Sequence, residues 1–325
     1  MDQPLVSVIV LCYKNLSKIY DTLDSILKQD YPQIEILIHD DGTPEYEGEW
    51  KKIENYVKKN RTPNVMSFLM EHLEKNVGTS RNCNHAIFMS HGRYIKFISP
   101  EDELYSTDVL SQCVEYAEKH QARIVAGQTY VKRRYGETED KVRQTALYRW
   151  RARHGRLCNL TPTDHDIRYM QGLNREKAKE ILTSRCVLST VAVFFHRELL
   201  EETGGFLEDY RLIEDVSYWP HIAMKDEKFY FTNIIMMKYA LSGCSNGGSG
   251  NAEFNRDFSD IMKCIYIPNE KGGGVFNKTL KRIRMRQTDY IYATGHSIKD
   301  KIMFLDVQMY LLLRNIKYIL IGTRI

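Results

Sequence analysis

The chain has 325 residues, of which 43% are hydrophobic and 27% are charged, with a net charge of +4 and a pI near 8.5. This composition is ordinary for a folded protein and excludes wholesale disorder. The excess of positive charge is too small to indicate nucleic-acid binding, and the length suits one large domain with an appendage or two modest domains.

Seven cysteines are scattered along the chain, and none forms a CxxC pair. An odd, scattered set is typical of reduced thiols, so we expect a cytosolic protein without a zinc site or a disulfide framework. The first residues, Met-Asp-Gln-Pro, lack the basic start of a signal peptide, and no apolar run is long enough to span a bilayer. The sequence therefore predicts a cytoplasmic location.

The first seventy residues alternate between strands and helices. Runs of β-branched and apolar residues predict buried strands over 6–11, 34–39 and 65–69. Apolar residues at helical spacing predict helices over 16–27 and 50–58. This alternation indicates an α/β fold, with a mostly parallel central sheet flanked by helices and joined by right-handed crossovers.

The middle of the chain continues the alternation less regularly. The pattern predicts a helix around 86–89, a short strand over 94–98, a helix over 109–117 and a strand over 122–131. Residues 132–179 are rich in charge and show no clear periodicity. Beyond them we expect a strand over 187–195 and a helix over 196–203 that is closed by Gly204-Gly205. A second helix over 213–223 and a last strand over 229–237 should follow.

The C-terminal part differs in character from the rest. Residues 242–251 are rich in Gly and Ser, and form either a closing lid or a plain linker. Residues 271–288 contain six Lys or Arg and no acidic residue, and 302–321 are strongly apolar. We therefore divide the chain into a domain over 1–245 and a basic, amphipathic and helical extension over 246–325. The extension could be a solvated helix, a dimer contact or, through 271–325, a peripheral membrane contact.

Acidic clusters follow two predicted strands. Asp40-Asp41 ends the second strand, and Glu101-Asp102-Glu103 follows the strand over 94–98 after Pro100. In open α/β sheets, ligands bind just outside the carboxyl ends of the strands. Crowded carboxylates there suit a hard divalent cation that takes one or two protein ligands, although an isolated acidic triplet is more often a solvated turn. A third cluster, Glu214-Asp215, opens a helix, where the helix dipole alone could account for it.

A series of short motifs in order along the chain resembles glycosyltransferase family 2. They are Val6-Ser-Val-Ile-Val, Tyr13-Lys-Asn, Tyr31-Pro-x-Ile-Glu-Ile, Asp40-Asp-Gly-Thr, Asn76-x-Gly-x-Ser-Arg-Asn, Gly92-Arg-Tyr-Ile, Glu101-Asp, the stretch from Phe194 to Gly204-Gly-Phe, and Glu214-Asp. Each motif is weak alone, but their order is specific. The resemblance covers residues 6–239 and implies the GT-A fold, a nucleotide-binding α/β domain that uses a divalent metal.

The resemblance also implies roles for individual residues of the donor site. Tyr13 would flank the nucleotide base, and Asp41 would bind that base, which we expect to be uracil. Arg81 would help to hold the nucleotide. The expected donor is therefore a nucleotide sugar, most simply a UDP-sugar.

The remaining roles concern the metal and the proton. By the same resemblance, Asp102 would ligate Mn²⁺ or Mg²⁺ on the donor diphosphate with help from Glu101, and Asp215 would be the catalytic base. The usual metal motif of the family is Asp-x-Asp-Asp, whereas this chain has Ser99-Pro100-Glu101-Asp102 at that place. The leading aspartate is absent, which puts the ligand set and the metal affinity in question.

Together these features predict an inverting glycosyltransferase of cell-surface polysaccharide assembly, acting on a hydroxyl of a glycan or lipid-linked acceptor. The setting, the inner face of a bacterial membrane, is implied by the family alone. A nucleotidyltransferase is an alternative, but it would carry a Gly-rich phosphate loop where this chain has residues 11–15 without glycine. A non-catalytic nucleotide- or glycan-binding module is the other alternative, because the metal motif is altered.

Overall fold

A computed structural model describes residues 3–131, 160–184, 186–240, 252–269, 275–292 and 303–321 of the chain. The segment 242–251 and most of the charged stretch from 132 onward lie outside the described residues. The first elements match the predicted alternation and are β1 (Val6–Cys12), α1 (Tyr20–Leu27), β2 (Ile34–Asp40), α2 (Glu47–Asn60) and β3 (Val65–His72). The predicted first helix is divided, because a 3₁₀ turn over Leu16–Lys18 precedes α1.

The next elements carry the chain through the middle of the sheet. They are α3 (Thr79–Met89), β4 (Tyr94–Ile98), β5 (Glu103–Leu104), α4 (Val109–His120), β6 (Ile124–Val131), β7 (Leu160–Thr161), α5 (Asp164–Gln171) and α6 (Arg175–Ser184). α5 begins at a capping box, in which Thr163 and Asp166 each bond the other's backbone N–H. The helices over 164–184 had no counterpart in the prediction, because the charged sequence there shows little hydrophobic periodicity.

The predicted strand over 187–195 is wrong in its first half. A 3₁₀ turn spans Thr190–Ala192, and only β8 (Val193–His196) joins the sheet. Apolar burial alone does not separate a strand from a buried turn, which explains the error. The chain then forms α7 (Arg197–Thr203), α8 (Glu214–Met224) and β9 (Tyr230–Tyr239), with Gly204 in the left-handed region at the end of α7, as predicted.

The described part of the C-terminal extension is helical, as predicted. Its elements are α9 (Ala252–Ile261), a π-helical turn (Met262–Tyr266), a short turn (Ile267–Asn269), α10 (Val275–Tyr292) and α11 (Leu305–Ile321). Among the described residues, no helix combines the length and the apolar character needed to cross a membrane.

The nine described strands form one mixed sheet in the order β3-β2-β1-β4-β8-β6-β9-β5, with β7 beside β6. The half from β3 to β4 is parallel, as predicted. The other half is mixed, because β8 runs antiparallel to both β4 and β6, whereas β9 runs parallel to β6 and antiparallel to β5. Helices flank this sheet, so the α/β class is confirmed. The parallel half brings the ends of β1, β2 and β4 to one edge.

Apolar side chains cover both faces of the sheet. One face packs against α1, α2 and α4, and the other against α3, α5, α7 and α8. Among the buried polar side chains of the sheet is Lys96 in β4, which is fully buried. Its ammonium group donates hydrogen bonds to the carbonyl oxygens of Val191 and Phe97. Burial lowers the pKa of Lys96 to about 8, although Cys113 and Asp102 act in the opposite direction.

Replacing Lys96 by methionine should therefore change how stability depends on pH. The unfolded lysine has a pKa of about 10.4. Between about pH 8 and pH 10 the unfolded chain thus binds the proton more tightly than the folded chain, so the stability of the wild type rises with pH. We expect the wild type to gain up to about 1.4 kcal/mol per pH unit relative to Lys96→Met in this range. Urea titrations of both proteins measure this difference, and a constant difference would contradict the assignment.

Candidate active site

The loops that follow β1 and β2 are held together at the edge of the sheet. The Asp41 N–H donates to the carbonyl of Cys12 at 2.8 Å, and the Lys14 N–H donates to the hydroxyl of Thr43 at 2.7 Å. Lys14 adopts a positive φ of 56°, which turns the chain at the end of β1. The preceding ring, Tyr13, is 40% exposed and is therefore available to a ligand.

The two adjacent aspartates after β2 have different surroundings. Both carboxylate oxygens of Asp40 are bonded inside the protein, to the N–H and hydroxyl of Thr43 at 2.8 and 2.6 Å and to Nδ1 of His72 at 2.8 Å. The ring of His72 in turn stacks on Tyr46. Asp40 therefore holds the loop in place.

Asp41 binds the loop that leads into α3. Its two oxygens accept hydrogen bonds from the N–H groups of Val77 at 2.7 Å and Gly78 at 3.0 Å. Burial raises the pKa of Asp41, while these two amides and the charge of Arg211 oppose the rise. Each carboxylate oxygen has a second lone pair, so Asp41 can still accept a hydrogen bond from a ligand.

Gly78 lies in this loop and packs closely against the segment before α8. Its φ is +93°, and a Cβ added there would lie 2.1 Å from Cγ of Arg211. The N–H of Ser80 donates to the carbonyl of Arg211 at 3.2 Å, and its hydroxyl donates to the carbonyl of Tyr210 at 2.5 Å. The loop over 76–78 is therefore fixed by Asp41 on one side and by Arg211 on the other.

The acidic cluster after β4 is partly neutralised by lysines. Glu101 has a φ of 75° and forms an ion pair with Lys18 at 3.0 Å, and Glu103 forms one with Lys238 at 3.3 Å. Two of the three crowded carboxylates thus have a cationic partner within the chain. Between them, Asp102 is only 3% exposed.

Asp102 is tied to two elements at the edge of the sheet. Its Oδ1 accepts a hydrogen bond from the N–H of Ala240 at 2.7 Å, just past β9. Its carbonyl oxygen accepts one from the hydroxyl of Thr22 in α1 at 2.7 Å. These contacts fix the backbone and one carboxylate oxygen of Asp102.

The donor atoms of this cluster fit a hard cation. Carboxylate oxygens are the ligands that Mg²⁺ and Mn²⁺ prefer, and such ions often take only one or two from the protein. The described residues contain no group of three or more His, Cys, Asp or Glu placed to hold a metal by themselves. Asp102 and Glu101 could therefore hold a metal together with the phosphates of a ligand, but not as a protein-only cage.

The third acidic cluster stands at the start of α8. Oδ1 of Asp215 accepts a hydrogen bond from the N–H of Val216 at 2.7 Å. Burial raises the pKa of both carboxyl groups, and the neighbouring Asp215 raises the pKa of Glu214 further. The hydroxyl of Thr190 lies beside Glu214 and acts in the opposite direction. These carboxyl groups therefore keep a proton up to a higher pH than an ordinary exposed carboxylate does.

The structure relates two of the predicted carboxylate sites through α3. Burial raises the pKa of the Cys83 thiol in α3, and the charges of Glu214, Asp215 and Asp41 raise it further. Asp41 bonds the amides of Val77 and Gly78 just before α3, and Ser80 in the first turn of α3 bonds the carbonyls of Tyr210 and Arg211, a few residues before Asp215. Asp102 follows β4, and in the sheet only β1 lies between β4 and β2. The hydrogen bonds of Asp102 described above join it to Thr22 and Ala240.

Arg81 is placed differently from the other predicted residues. It lies in the first turn of α3 and forms an ion pair with Glu208 at 3.0 Å, with more than half of its side chain exposed. The bond uses Nε, so the Nη groups of Arg81 could donate to a nucleotide while that ion pair stays closed.

Known proteins with similar folds were found by structural comparison. The mannosyltransferase PcManGT of Pyrobaculum calidifontis, solved with GDP-Man and Mn²⁺, has a TM-score of 0.58 at 16% identity over 96% of this chain and 81% of its own. TarS 1-349 of Staphylococcus aureus, solved with UDP-GlcNAc, has a TM-score of 0.55 at 14% identity over 93% and 79% of the two chains. At such identities the likeness concerns the fold, which is the GT-A fold of glycosyltransferases.

Sequence comparison defines the family. Residues 7–182, more than half of the chain, match the profile of Glycosyl transferase family 2, and the chain belongs to that family. Glycosyltransferase EpsJ of Bacillus subtilis is 34% identical over 122 residues, which are 38% of this chain and 33% of EpsJ. The UDP-Glc:alpha-D-GlcNAc-diphosphoundecaprenol beta-1,3-glucosyltransferase WfaP of Escherichia coli is 33% identical over 108 residues, 33% of this chain and 39% of WfaP. The chain thus spans only about a third to two-fifths of the length of these relatives.

Several residues that shape this site could not be expected from the sequence. The amides of Val77 and Gly78 bond Asp41, the charge of Arg211 acts on it, and Thr190 lies beside Glu214. Backbone amides carry no sequence signal, and Arg211 belongs to no periodic pattern. The positive φ that Gly78 needs is the one feature that its residue type could have suggested.

Replacing Gly78 by alanine should disrupt the donor side of this site. The added methyl would need a φ that L-residues avoid and would overlap Arg211, so we expect a loss of more than about 2 kcal/mol of unfolding free energy. Gly204→Ala is the matched control, because Gly204 has a φ of +77° but nothing within 4 Å of the added Cβ. The control should cost only about 1 kcal/mol. Urea denaturation of both variants measures the difference, and equal losses would exclude the steric contact.

Proposed function

We propose that this chain is an inverting glycosyltransferase that moves a sugar from a nucleotide donor, most simply a UDP-sugar, to a hydroxyl of a glycan or lipid-linked acceptor. The observation that carries the proposal is the match of more than half of the chain to family 2. Asp41, which bonds the loop before α3, and Asp215, which follows a segment bonded to Ser80 of α3, support it. WfaP, a relative whose name specifies UDP-Glc and a diphosphoundecaprenol-linked acceptor, supports both the donor and the acceptor class.

The donor base would lie between Tyr13 and Asp41. The exposed ring of Tyr13 offers a surface for stacking, and the free lone pairs of Asp41 can accept the imide N–H of a uracil. A neutral Asp41 could not accept as strongly, and the two amides that bind it favour the ionised form. This arrangement discriminates against bases that present only acceptors at that edge.

Asp102, with Glu101, would hold Mn²⁺ or Mg²⁺ beside the donor diphosphate. When bound, the ion would act as a Lewis acid that stabilises the negative charge of the diphosphate leaving group. Glu101 pairs with Lys18 through Oε1 at 3.0 Å, and a carboxylate can bind a cation through either oxygen.

Asp215 would be the general base. The acceptor hydroxyl attacks the anomeric carbon from the face opposite the leaving group, and its proton passes to a carboxylate oxygen of Asp215. Burial raises the pKa of Asp215, and a base whose pKa approaches the working pH accepts a proton more effectively. The bond between its Oδ1 and the Val216 N–H fixes its orientation. A single displacement of this kind inverts the anomeric configuration.

The alternative of a non-catalytic binding module is favoured by one specific observation. The missing aspartate at Ser99 would suit a nucleotide- or glycan-binding module that lacks transfer activity. The nucleotidyltransferase reading has no such support, because no glycine-rich loop follows β1. Calorimetric titration of UDP and GDP with and without Mn²⁺, followed by a donor-panel hydrolysis assay, separates a module from an enzyme.

Asp215→Asn should abolish transfer and leave UDP binding within about 3-fold of the wild type, because the amide cannot take the proton but fills the same space. Asp102→Asn is the comparison variant, and it should instead weaken UDP binding when Mn²⁺ is present. The measurements are product formation by chromatography and UDP affinity by calorimetry. Unchanged turnover of Asp215→Asn would remove it as the base.

We also propose that α10 and α11 contact an anionic membrane surface. Leu305, Met309, Leu312 and Leu313 are spaced to share one side of α11 and are 57–62% exposed, whereas Phe304 and Val307 are buried. Arg286 of α10 ties the two helices together through an ion pair with Asp306 at 2.6 Å. Exposed Lys278 and Arg282 on α10 would add about 1 kcal/mol each near anionic headgroups. Such a contact suits an enzyme that extends a lipid-linked acceptor.

The double substitution Leu312→Ser, Leu313→Ser should lower binding to vesicles of phosphatidylglycerol and phosphatidylcholine at least about 10-fold, because inserting each leucine is worth about 1.5–3 kcal/mol. Met66→Ser serves as the control, since Met66 is an exposed apolar residue on β3, 45% exposed. Sedimentation with the vesicles measures the bound fraction. If the double substitution leaves vesicle binding unchanged but converts a dimer into a monomer in light scattering, the apolar stripe is a dimer contact instead.

A further inference from the structure

Arg211 joins parts of the chain that are far apart in sequence. Its guanidinium group donates to the carbonyl oxygens of Asn76 at 3.1 Å and Val77 at 3.3 Å, and also to the side-chain oxygen of Asn76. These are residues of the loop whose amides bind Asp41. Arg211 therefore holds that loop from the side opposite to Asp41.

The C-terminal extension holds Arg211 in turn. Glu253 of α9 accepts a hydrogen bond from Nη1 of Arg211 at 2.8 Å, and Oδ2 of Asp257, one turn along α9, accepts one from the Arg211 backbone N–H at 3.2 Å. Asp257 is buried, and its other oxygen faces Arg256. The side chain and the backbone of Arg211 are thus both fixed by carboxylates that lie after residue 245.

The extension also packs behind the start of α8. Ile213 and Val216 form a buried apolar cluster with Ile261 and Tyr266. The hydroxyl of Tyr266 donates to the carbonyl of Val216 at 2.7 Å, in the first turn of the helix that begins with Glu214-Asp215. The same extension therefore contacts both the donor-loop side and the base side of the site.

A planar guanidinium group suits this junction better than an ammonium group. Its donors point in fixed directions, so one side chain can bond the loop carbonyls and Glu253 at the same time. Arg211 and Glu253 each remain about one-third exposed, so the ion pair contributes little to overall stability. Its effect should therefore be seen mainly in the placement of the loop.

We propose that Arg211 is a positioning residue for donor binding, and that Glu253 and Asp257 of the C-terminal extension hold it in its active orientation. This inference rests on the proposed function, since it assumes that a nucleotide binds at Asp41. The extension is then part of the donor site, because α9 positions the loop over 76–78 through Arg211, and the loop positions the carboxylate of Asp41.

The test is a double-mutant cycle in UDP affinity, measured by calorimetry on the full chain. Glu253→Gln should weaken UDP binding about 5-fold and Arg211→Lys about 10-fold. The double variant should be no more than about 2-fold weaker than Arg211→Lys alone, because Glu253 acts through Arg211. Asp260→Asn removes an exposed carboxylate from the same helix and should change the affinity less than about 2-fold.

Steady-state kinetics give a second readout. The substitutions should raise KM for the donor more than they lower kcat at saturating donor, whereas a general loss of folded protein lowers kcat alone. Asp257→Asn provides an independent variant if Arg211→Lys fails to fold. Wild-type affinity in Glu253→Gln and Asp257→Asn, or strictly additive losses in the double variant, would overturn the inference alone. A wild type that binds neither UDP nor GDP would overturn the proposed function and this inference with it.

Discussion

The site depends on the bonds between the carboxylate of Asp41 and the amides of Val77 and Gly78. A buried carboxylate is costly unless its oxygens are bonded, and two backbone amides meet that need without introducing a counter-charge. The same bonds bring the loop before α3 against the end of β2. Asp41 therefore both builds the loop and retains lone pairs for a ligand, so its structural and proposed binding roles cannot be separated by a simple substitution.

The acidic residues of the site differ in their partners. Asp40, Glu101 and Glu103 face His72, Lys18 and Lys238, respectively. Asp41, Asp102 and Asp215 accept hydrogen bonds from backbone amides, as Asp40 also does from Thr43. An amide fixes the orientation of a carboxylate oxygen without bringing a full counter-charge to it. Amide donors therefore orient the three carboxylates to which the proposed chemistry assigns a role.

Much of the fold could be predicted from the sequence, because buried strands and amphipathic helices leave periodic patterns. The positions of Asp41 and Asp102 just after β2 and β4 followed from those patterns, and the family followed from motif order. The strand over 187–192 was wrong, since a buried apolar turn has the same composition. The contacts of Arg211 with Asn76 and Glu253 could not be predicted, because they join residues 135 and 42 positions apart without any local signal. The assigned roles of the site residues remain proposals.

The bond between Lys96 and Val191 has a consequence for how this chain can diverge. The ammonium group meets the backbone carbonyl at position 191 and not a side chain, so many residue types can occupy that position without disturbing the pairing. An insertion or deletion within the 3₁₀ turn over Thr190–Ala192 would instead move the carbonyl away and leave a cation stranded in the core. Selection should therefore preserve the length of this turn more strictly than the amino-acid types within it.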